Sequence, residues 1–281
     1  MQDSAKAIAQ YYDACECDYR TFWNLDRSLA MHAGFWDQET KTLEEALERE
    51  NAFLAEFAGI KPGERVLDAG CGVGGSSIFL AARYGCRVTG ITLSQKQAES
   101  ARRHACSRGV SSLADFETMD FCQTHFPDAS FDVVWGLESV CHAQDKLRFV
   151  REAYRLLKPG GRLVVADGFA KKSAYSPKES SQMRRWLCGW GVDALDRVPQ
   201  FNDHLLKTGF EAILYKSITR NVLPSSKRLF WISLPAYVFS RLGEWMGKRT
   251  RIQTENIRAA YYQYTTLKKE LWEYGVFYAR K

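Results

Sequence analysis

Between residues 65 and 169, short apolar runs alternate with stretches of helical periodicity. "RVLDAG" reads as a strand and "GSSIFLAARYG" as the helix after it; "RVTGITL" and "SQKQAESARRHACSRG" repeat the pair. "ADFETMD" is a third strand and "FDVVWGLES" a fourth. "DKLRFVREAYRLLKPGG" is a helix ended by Pro-Gly-Gly, ahead of "RLVVADGF", the fifth strand. Strands alternating with helices of this length build βαβ units, and so a parallel sheet covered by helices on both faces. Upstream, "LEEALERENAFLAEFA" at 43–58 spaces its apolar residues for a helix stopped by Gly59. Downstream, "VPQFNDHLLKTGF" reads as a helix, and "EAILYKSITR" and "LWEYGVFYARK" as the sixth and seventh strands. The expected fold is α/β: a doubly wound, mostly parallel seven-stranded sheet. A helical cap over 1–58 precedes the main domain at 59–281. Roughly 45 residues separate the last two strands, where an ordinary connection takes about 2–6. Segments near 171–200 and 220–265 are therefore expected as lids.

The first strand runs into "VLDAGCGVGG", with Gly70, Gly72 and Gly75 at the spacing G-x-G-x-x-G. A dinucleotide site would want an acid for its ribose about 20 residues further on, and Thr92 stands near that place instead. Asp68, two residues before Gly70, would repel a pyrophosphate held by the turn. An acid at that position suits a ligand with a cationic part, an ammonium or a sulfonium. S-adenosylmethionine carries both, and also a carboxylate for the N–H groups of the loop.

"VLDAGCGVGG" resembles the first motif of the class I S-adenosylmethionine-dependent methyltransferases, and "LLKPGGRLVVAD" resembles their late βαβ segment. "YYD" at 11–13, "MHAGFWD" at 31–37, "GITLSQKQ" at 90–97 and "WGLESVCHAQDK" at 135–146 together resemble the sterol, tocopherol and related C-methyltransferases. Small-molecule N- and O-methylating relatives share several of these elements. The resemblance implies that Asp68, Gly70, Cys71 and Gly72 line the methionine end of the cofactor. It puts Leu93 against the adenosine with Thr92 and Gln97 near it, and Asp120 toward the adenine amine beside Phe121. Leu137 and Glu138 would end the fourth strand next to the transferring methyl. His32, Gly34 and Tyr12 would close the pocket from the cap.

Glu138 and His142 are four residues apart, and on one helical turn they would face one pocket. His142 would then serve as a base near neutrality, with Glu138 orienting it, holding the cofactor's charge or stabilising a cation. The alternative is a backbone-bonded Glu138 and a surface His142. Aromatics gather in the cap and lid segments, among them Tyr11, Phe22, Trp23, Trp186, Trp190, Phe230, Trp231 and Trp245. They can bind an apolar ring and stabilise cations, or serve as ordinary packing. The favoured chemistry is C-methylation of an isoprenoid, sterol-like or prenyl-quinol-like acceptor, with O- or N-methylation of a small natural product as the alternative.

The net charge of +6 matches one segment: Arg220, Lys227, Arg228, Arg241, Lys248, Arg249 and Arg251 stand between 220 and 252 against Glu244 alone. In "PAYVFSRLGEWMGKR", Tyr237, Val238, Leu242, Trp245 and Met246 make an apolar stripe beside these cations. It could meet a membrane surface, its own sheet or a partner chain. No appended RNA-binding module accompanies the basic residues, so nucleic acid is not expected as a partner. The eight cysteines contain no C-x-x-C pair, so no metal is expected. Reduced buried thiols and a cytoplasmic location are.

Overall fold

The computed structural model describes residues 2–23 and 25–281, with side chains for 7–22, 25 and 27–281; the side chain of Trp23 lies outside these. The chain begins with α1 (Gln2–Trp23), α2 (Leu25–Ser28) and α3 (Leu43–Ala58). Then come β1 (Arg65–Ala69), α4 (Gly75–Tyr84), β2 (Arg87–Thr92), α5 (Gln95–Ser107), β3 (Ala114–Thr118) and β4 (Phe131–Leu137). After α6 (Lys146–Leu156) and β5 (Leu157–Ala170) follow α7 (Pro177–Gly189), α8 (Val198–Thr208) and β6 (Glu211–Ser217). The long helices α9 (Thr219–Trp245) and α10 (Arg251–Lys268) precede β7 (Trp272–Arg280).

The seven strands form one sheet in the order β3-β2-β1-β4-β5-β7-β6. All neighbours from β3 to β5 pair in parallel, and β7 runs antiparallel between β5 and β6. Successive side chains of a strand point to opposite faces. Val66, Val88 and Trp135 accordingly join one core with Leu54 and Leu80, while Leu67, Ile91 and Val134 join the other with Phe149 and Phe277. The strand order reverses between β1 and β4, and in such sheets the crevice at their carboxyl ends takes the ligand.

The sequence places α3 correctly because both its ends are signalled locally. Thr42 and Glu45 form a capping box, and Gly59 closes the helix at φ 61°. It packs on α4, β5 and β7, so the sheet's own helical layer begins inside the segment read as cap. A second departure concerns "LKPGG". The helix ends at Leu156 and the strand has already begun at Leu157, with a register break against β4 between the Phe131 and Val133 pairings. Pro159, Gly160 and Gly161 lie in that break of the ladder, inside β5, just after the helix has ended.

Both expected lid segments are helical, and they converge on α10, which packs against α7, α9 and α1. Polar ties fix α1 to this layer. The Tyr11 hydroxyl donates to Asn256 Oδ1 (2.8 Å), and the Arg249 guanidinium grips both oxygens of Asp18 (2.7 and 2.8 Å). Arg249 is thus withdrawn from the basic surface. The thiols also differ from expectation: all eight are free, but Cys17, Cys106 and Cys188 are exposed. Among the described residues no helix is long and apolar enough to cross a membrane.

Candidate functional site

A cavity of about 240 Å³ opens at the carboxyl ends of β1 and β4. Its floor is the glycine loop, where three glycines adopt left-handed backbone: Gly70 (φ 92°), Gly72 (φ 53°) and Gly74 (φ 90°). Space constrains them as well. A Cβ on Gly70 would lie 2.3 Å from Cβ of Ser139, and one on Gly75 would lie 2.1 Å from the Leu29 carbonyl oxygen. The third glycine of the motif therefore admits the Leu29 backbone, in the strap just after α2, at the edge of the cavity. The N–H groups of Gly70 and Cys71 both donate to the Ile91 carbonyl (2.9 Å each). These two are not the donors for a ligand carboxylate that the loop was expected to offer.

Tyr12, His32, Asp68, Gly70, Cys71, Gly72, Thr92, Leu93, Gln97, Asp120, Phe121, Leu137, Glu138 and His142 all border this cavity. Gly34 does not. Its Cβ would strike Ala46 of α3 at 2.5 Å, and its N–H donates to Ser225 Oγ (3.0 Å), so it is a packing glycine away from the cavity. Asp68 is 2% exposed and accepts the Ser77 hydroxyl (2.6 Å). Burial raises its carboxyl to about 6. Thr92 donates to Gln97 Oε1 (2.7 Å), and Ser94 caps α5 while donating to Asp13 of α1 (2.7 Å). Asp120 Oδ1 accepts the Cys122 N–H (2.8 Å), which fixes the turn that carries Phe121.

A second chamber, about 80 Å³, adjoins the first and shares the walls Tyr12, Met31, Glu138 and His142 with it. Its other surfaces include five aromatic side chains, Tyr19, Trp186, Trp190, Trp272 and Tyr274, beside aliphatic residues and the polar Asp167, Ser225, Ser226 and Gln263. Trp186 and Trp190 were visible as a cluster in the sequence. Tyr274 and Trp272 were not, because β7 reaches the chamber only by pairing antiparallel with β5.

His142 and Glu138 face the shared wall but are not partners. The Gly191 carbonyl can only accept, so His142 Nδ1–H donates to it (3.1 Å), and Nε2 accepts the Tyr12 hydroxyl (2.8 Å). Burial lowers His142 to about 4. It is held neutral and is not poised near pH 7 as expected from the sequence. Glu138, at φ 48° after the end of β4, accepts the Ala33 N–H (2.6 Å) and contacts the Tyr274 hydroxyl (2.9 Å). The same hydroxyl lies 2.9 Å from Oε1 of Glu50. It has one proton to donate, so the second contact is a hydrogen bond only where a carboxyl keeps its proton and donates back. Glu138 is the one raised, to about 8, by burial and the neighbouring Glu50 charge. Burial is the largest single influence on His32 and opposes its charge, but the hydrogen bond to Glu50 (2.8 Å), the Glu50 and Glu138 charges and the Ala33 carbonyl together outweigh it and raise the imidazole. Glu50 gave no signal in the sequence, since a helical glutamate ordinarily faces water.

Residues 67–165 match the family described as a methyltransferase domain. The 27-O-demethylrifamycin SV methyltransferase of Amycolatopsis mediterranei is 37% identical over 195 residues, which are 69% of this chain and 71% of that one. This chain is a class I S-adenosylmethionine-dependent methyltransferase. It falls in the branch of the sterol and tocopherol enzymes: cycloartenol-C-24-methyltransferase of Arabidopsis thaliana is 30% identical over 261 residues, covering 90% of this methyltransferase and 75% of the plant protein. The crystal structure of the [4+2]-cyclase SpnF superposes with a TM-score of 0.79 at 25% identity, covering 98% of this chain and 94% of that one. The methyltransferase uses S-adenosylmethionine as its donor. Its cavity fits that group, with a buried carboxylate for a cation and polar walls at Thr92, Gln97 and Asp120.

Proposed function

We propose that this methyltransferase methylates a small hydrophobic or aromatic acceptor held in the Trp- and Tyr-walled chamber. The favoured target atom is a carbon of an isoprenoid, sterol-like or prenyl-quinol-like molecule. The observation that carries the reading is the wall shared by the two cavities, because a methyl passes between molecules only when donor and acceptor meet in line at close range. The larger cavity would take S-adenosylmethionine, whose sulfonium supplies an electrophilic methyl. Asp68 would face its positive end, Leu93 and Phe121 would pack on its adenosine, and Asp120 would meet the adenine amine. The chamber's six Tyr and Trp side chains, Tyr12 among them, favour an apolar acceptor and would stabilise positive charge developing on carbon. Tyr12 and His142 both border the chamber, and a proton leaving a cationic, methylated acceptor is acidic enough to pass through the Tyr12 hydroxyl to His142 Nε2, weak base though burial makes it.

His142→Ala is expected to cut turnover about tenfold or more and to leave cofactor affinity, measured by calorimetry, nearly unchanged. Undiminished turnover would make His142 a packing residue that positions Tyr12. The acceptor class is tested by a screen with methyl-labelled donor, scored by which product atom gains the label. Label on oxygen or nitrogen would replace the carbon reading, and O-methylation is the activity named for the rifamycin relative. The eight free thiols support a reducing, cytoplasmic setting.

A further inference from the structure

Helix α9 presents its faces the wrong way round for a helix in water. Its buried side carries Ser225, Ser226, Ser233, Ser240 and Gly243, with only Val222 and Leu229 as large apolar residues. Its outer side carries Trp231 (60% exposed), Leu234, Val238, Phe239 (72%), Leu242, Trp245 (85%) and Met246. The outer residues recur at helical spacing, so they form one continuous stripe. Of the three places expected for the stripe, its own sheet is not the one it meets: these side chains face outward. Rotation about the helix axis cannot hide it, because the serine side is bonded into the fold. Ser225 Oγ accepts from Gly34 N–H and Trp36 Nε1 (3.0 and 2.8 Å), Ser226 Oγ accepts from Gln263 (2.9 Å), and Ser240 is bonded to Thr254 and Arg249. A contiguous apolar patch of this kind marks a surface that meets something apolar.

Charge chooses the partner. Lys227, Arg241, Lys248 and Arg251 are exposed around the stripe. Glu244 is the only acid between 220 and 252, and Arg241 lies 4.0 Å from it. Aromatic and aliphatic residues framed by cations suit the boundary of an anionic bilayer, where the rings enter the acyl region and the cations meet headgroups. The cavities point the same way. An open groove under Trp231 and Phe239 shares Phe22, Ile232, Ala236 and Ile257 with a smaller apolar cavity beneath it. That cavity in turn shares Tyr19, Trp190 and Leu229 with the acceptor chamber.

We propose that the outer face of α9 docks on an anionic lipid bilayer, with the mouth of this apolar path at the contact. The use of the path to admit acceptor rests on the hydrophobic-acceptor reading; the docking does not. The test is flotation of the full chain with phosphatidylcholine vesicles, with and without phosphatidylglycerol. The wild type is expected to float with the anionic vesicles and to be released as salt rises. The double variant Phe239→Glu, Trp245→Glu is expected to lose about tenfold or more of that binding. Calorimetry with S-adenosylhomocysteine, unchanged in the variant, shows that its fold is intact. Failure of the wild type to float with either vesicle overturns the proposal, and so does equal flotation of the variant. A dimer in sedimentation that the double variant dissociates also overturns it, since a second copy then covers the face. A methyltransferase that floats but methylates only polar acceptors keeps the docking and refutes the acceptor reading.

Discussion

Asp68→Asn is expected to weaken S-adenosylmethionine binding about tenfold to a hundredfold, the cost of one charge-assisted contact in a buried site. The geometry behind this is local. Asp68 stands at the buried end of β1, held by the Ser77 hydroxyl, on the wall of the larger cavity. Burial raises its carboxyl to about 6, so affinity should fall as pH is lowered through that value, and the variant should lose the dependence. Stability without cofactor runs in the opposite direction. Between about 4, the ordinary carboxylate value, and about 6, the folded chain holds a proton that the unfolded chain has released. Stability therefore declines as pH rises through that window. Above it, the variant should be as stable as the wild type or more so, and weaker binding cannot be blamed on unfolding. Isothermal calorimetry across pH, with thermal melts of the same samples, checks both signs. Unchanged affinity would remove the cation from beside Asp68.

What could be read from the sequence was local, and what could not be read depends on distant packing. The strand and helix alternation was legible because parallel strands buried on both faces are short and almost continuously apolar, as Phe131–Leu137 and Val66–Ala69 are apart from Asp132 and Asp68. The glycine loop was legible because left-handed backbone at Gly70 and Gly72 admits little else. Gly34 misled because a glycine needed for close approach to Ala46 looks the same in sequence as one needed for a ligand. The pairing of Glu138 with His142 failed for a related reason. Four residues apart is helical spacing, but Glu138 precedes a single 3₁₀ turn, Val140–His142, with its own backbone left-handed. Its partners arrive from the strap at Ala33 and from β7 at Tyr274. The stripe on α9 was visible as a periodicity, but which way it faced was decided by serines bonded to α10 and to the strap.

Glu138→Gln is expected to keep the fold and cofactor affinity while lowering turnover about a hundredfold at alkaline pH, the scale of removing one preorganised charge from a reacting centre. Glutamine imitates the protonated acid. Its Oε1 can still accept the Ala33 N–H and the Tyr274 hydroxyl; with no proton there to donate back, the Tyr274 contact with Glu50 is the one the variant gives up. What it lacks is the ionised form. In the empty chain that form appears only above about 8, because burial and the nearby Glu50 charge oppose it. A cation in the adjoining cavity reverses the balance and drives the proton off, as opposite charges do for any carboxyl. kcat/KM reports the free enzyme, so the wild-type value should rise with pH through about 8 and the variant's should stay flat. Glu138→Ala separates charge from scaffolding. It leaves the Ala33 N–H without its acceptor, while the Tyr274 hydroxyl keeps Glu50; the unpaired N–H costs about 1–3 kcal/mol of stability, and a melt should show the loss that the glutamine variant avoids. Full turnover at every pH in the glutamine variant would reduce Glu138 to the residue that holds the strap against β7. The left-handed backbone at Glu138 would then be a cost of that attachment, with no charge of its own at the methyl-transfer site.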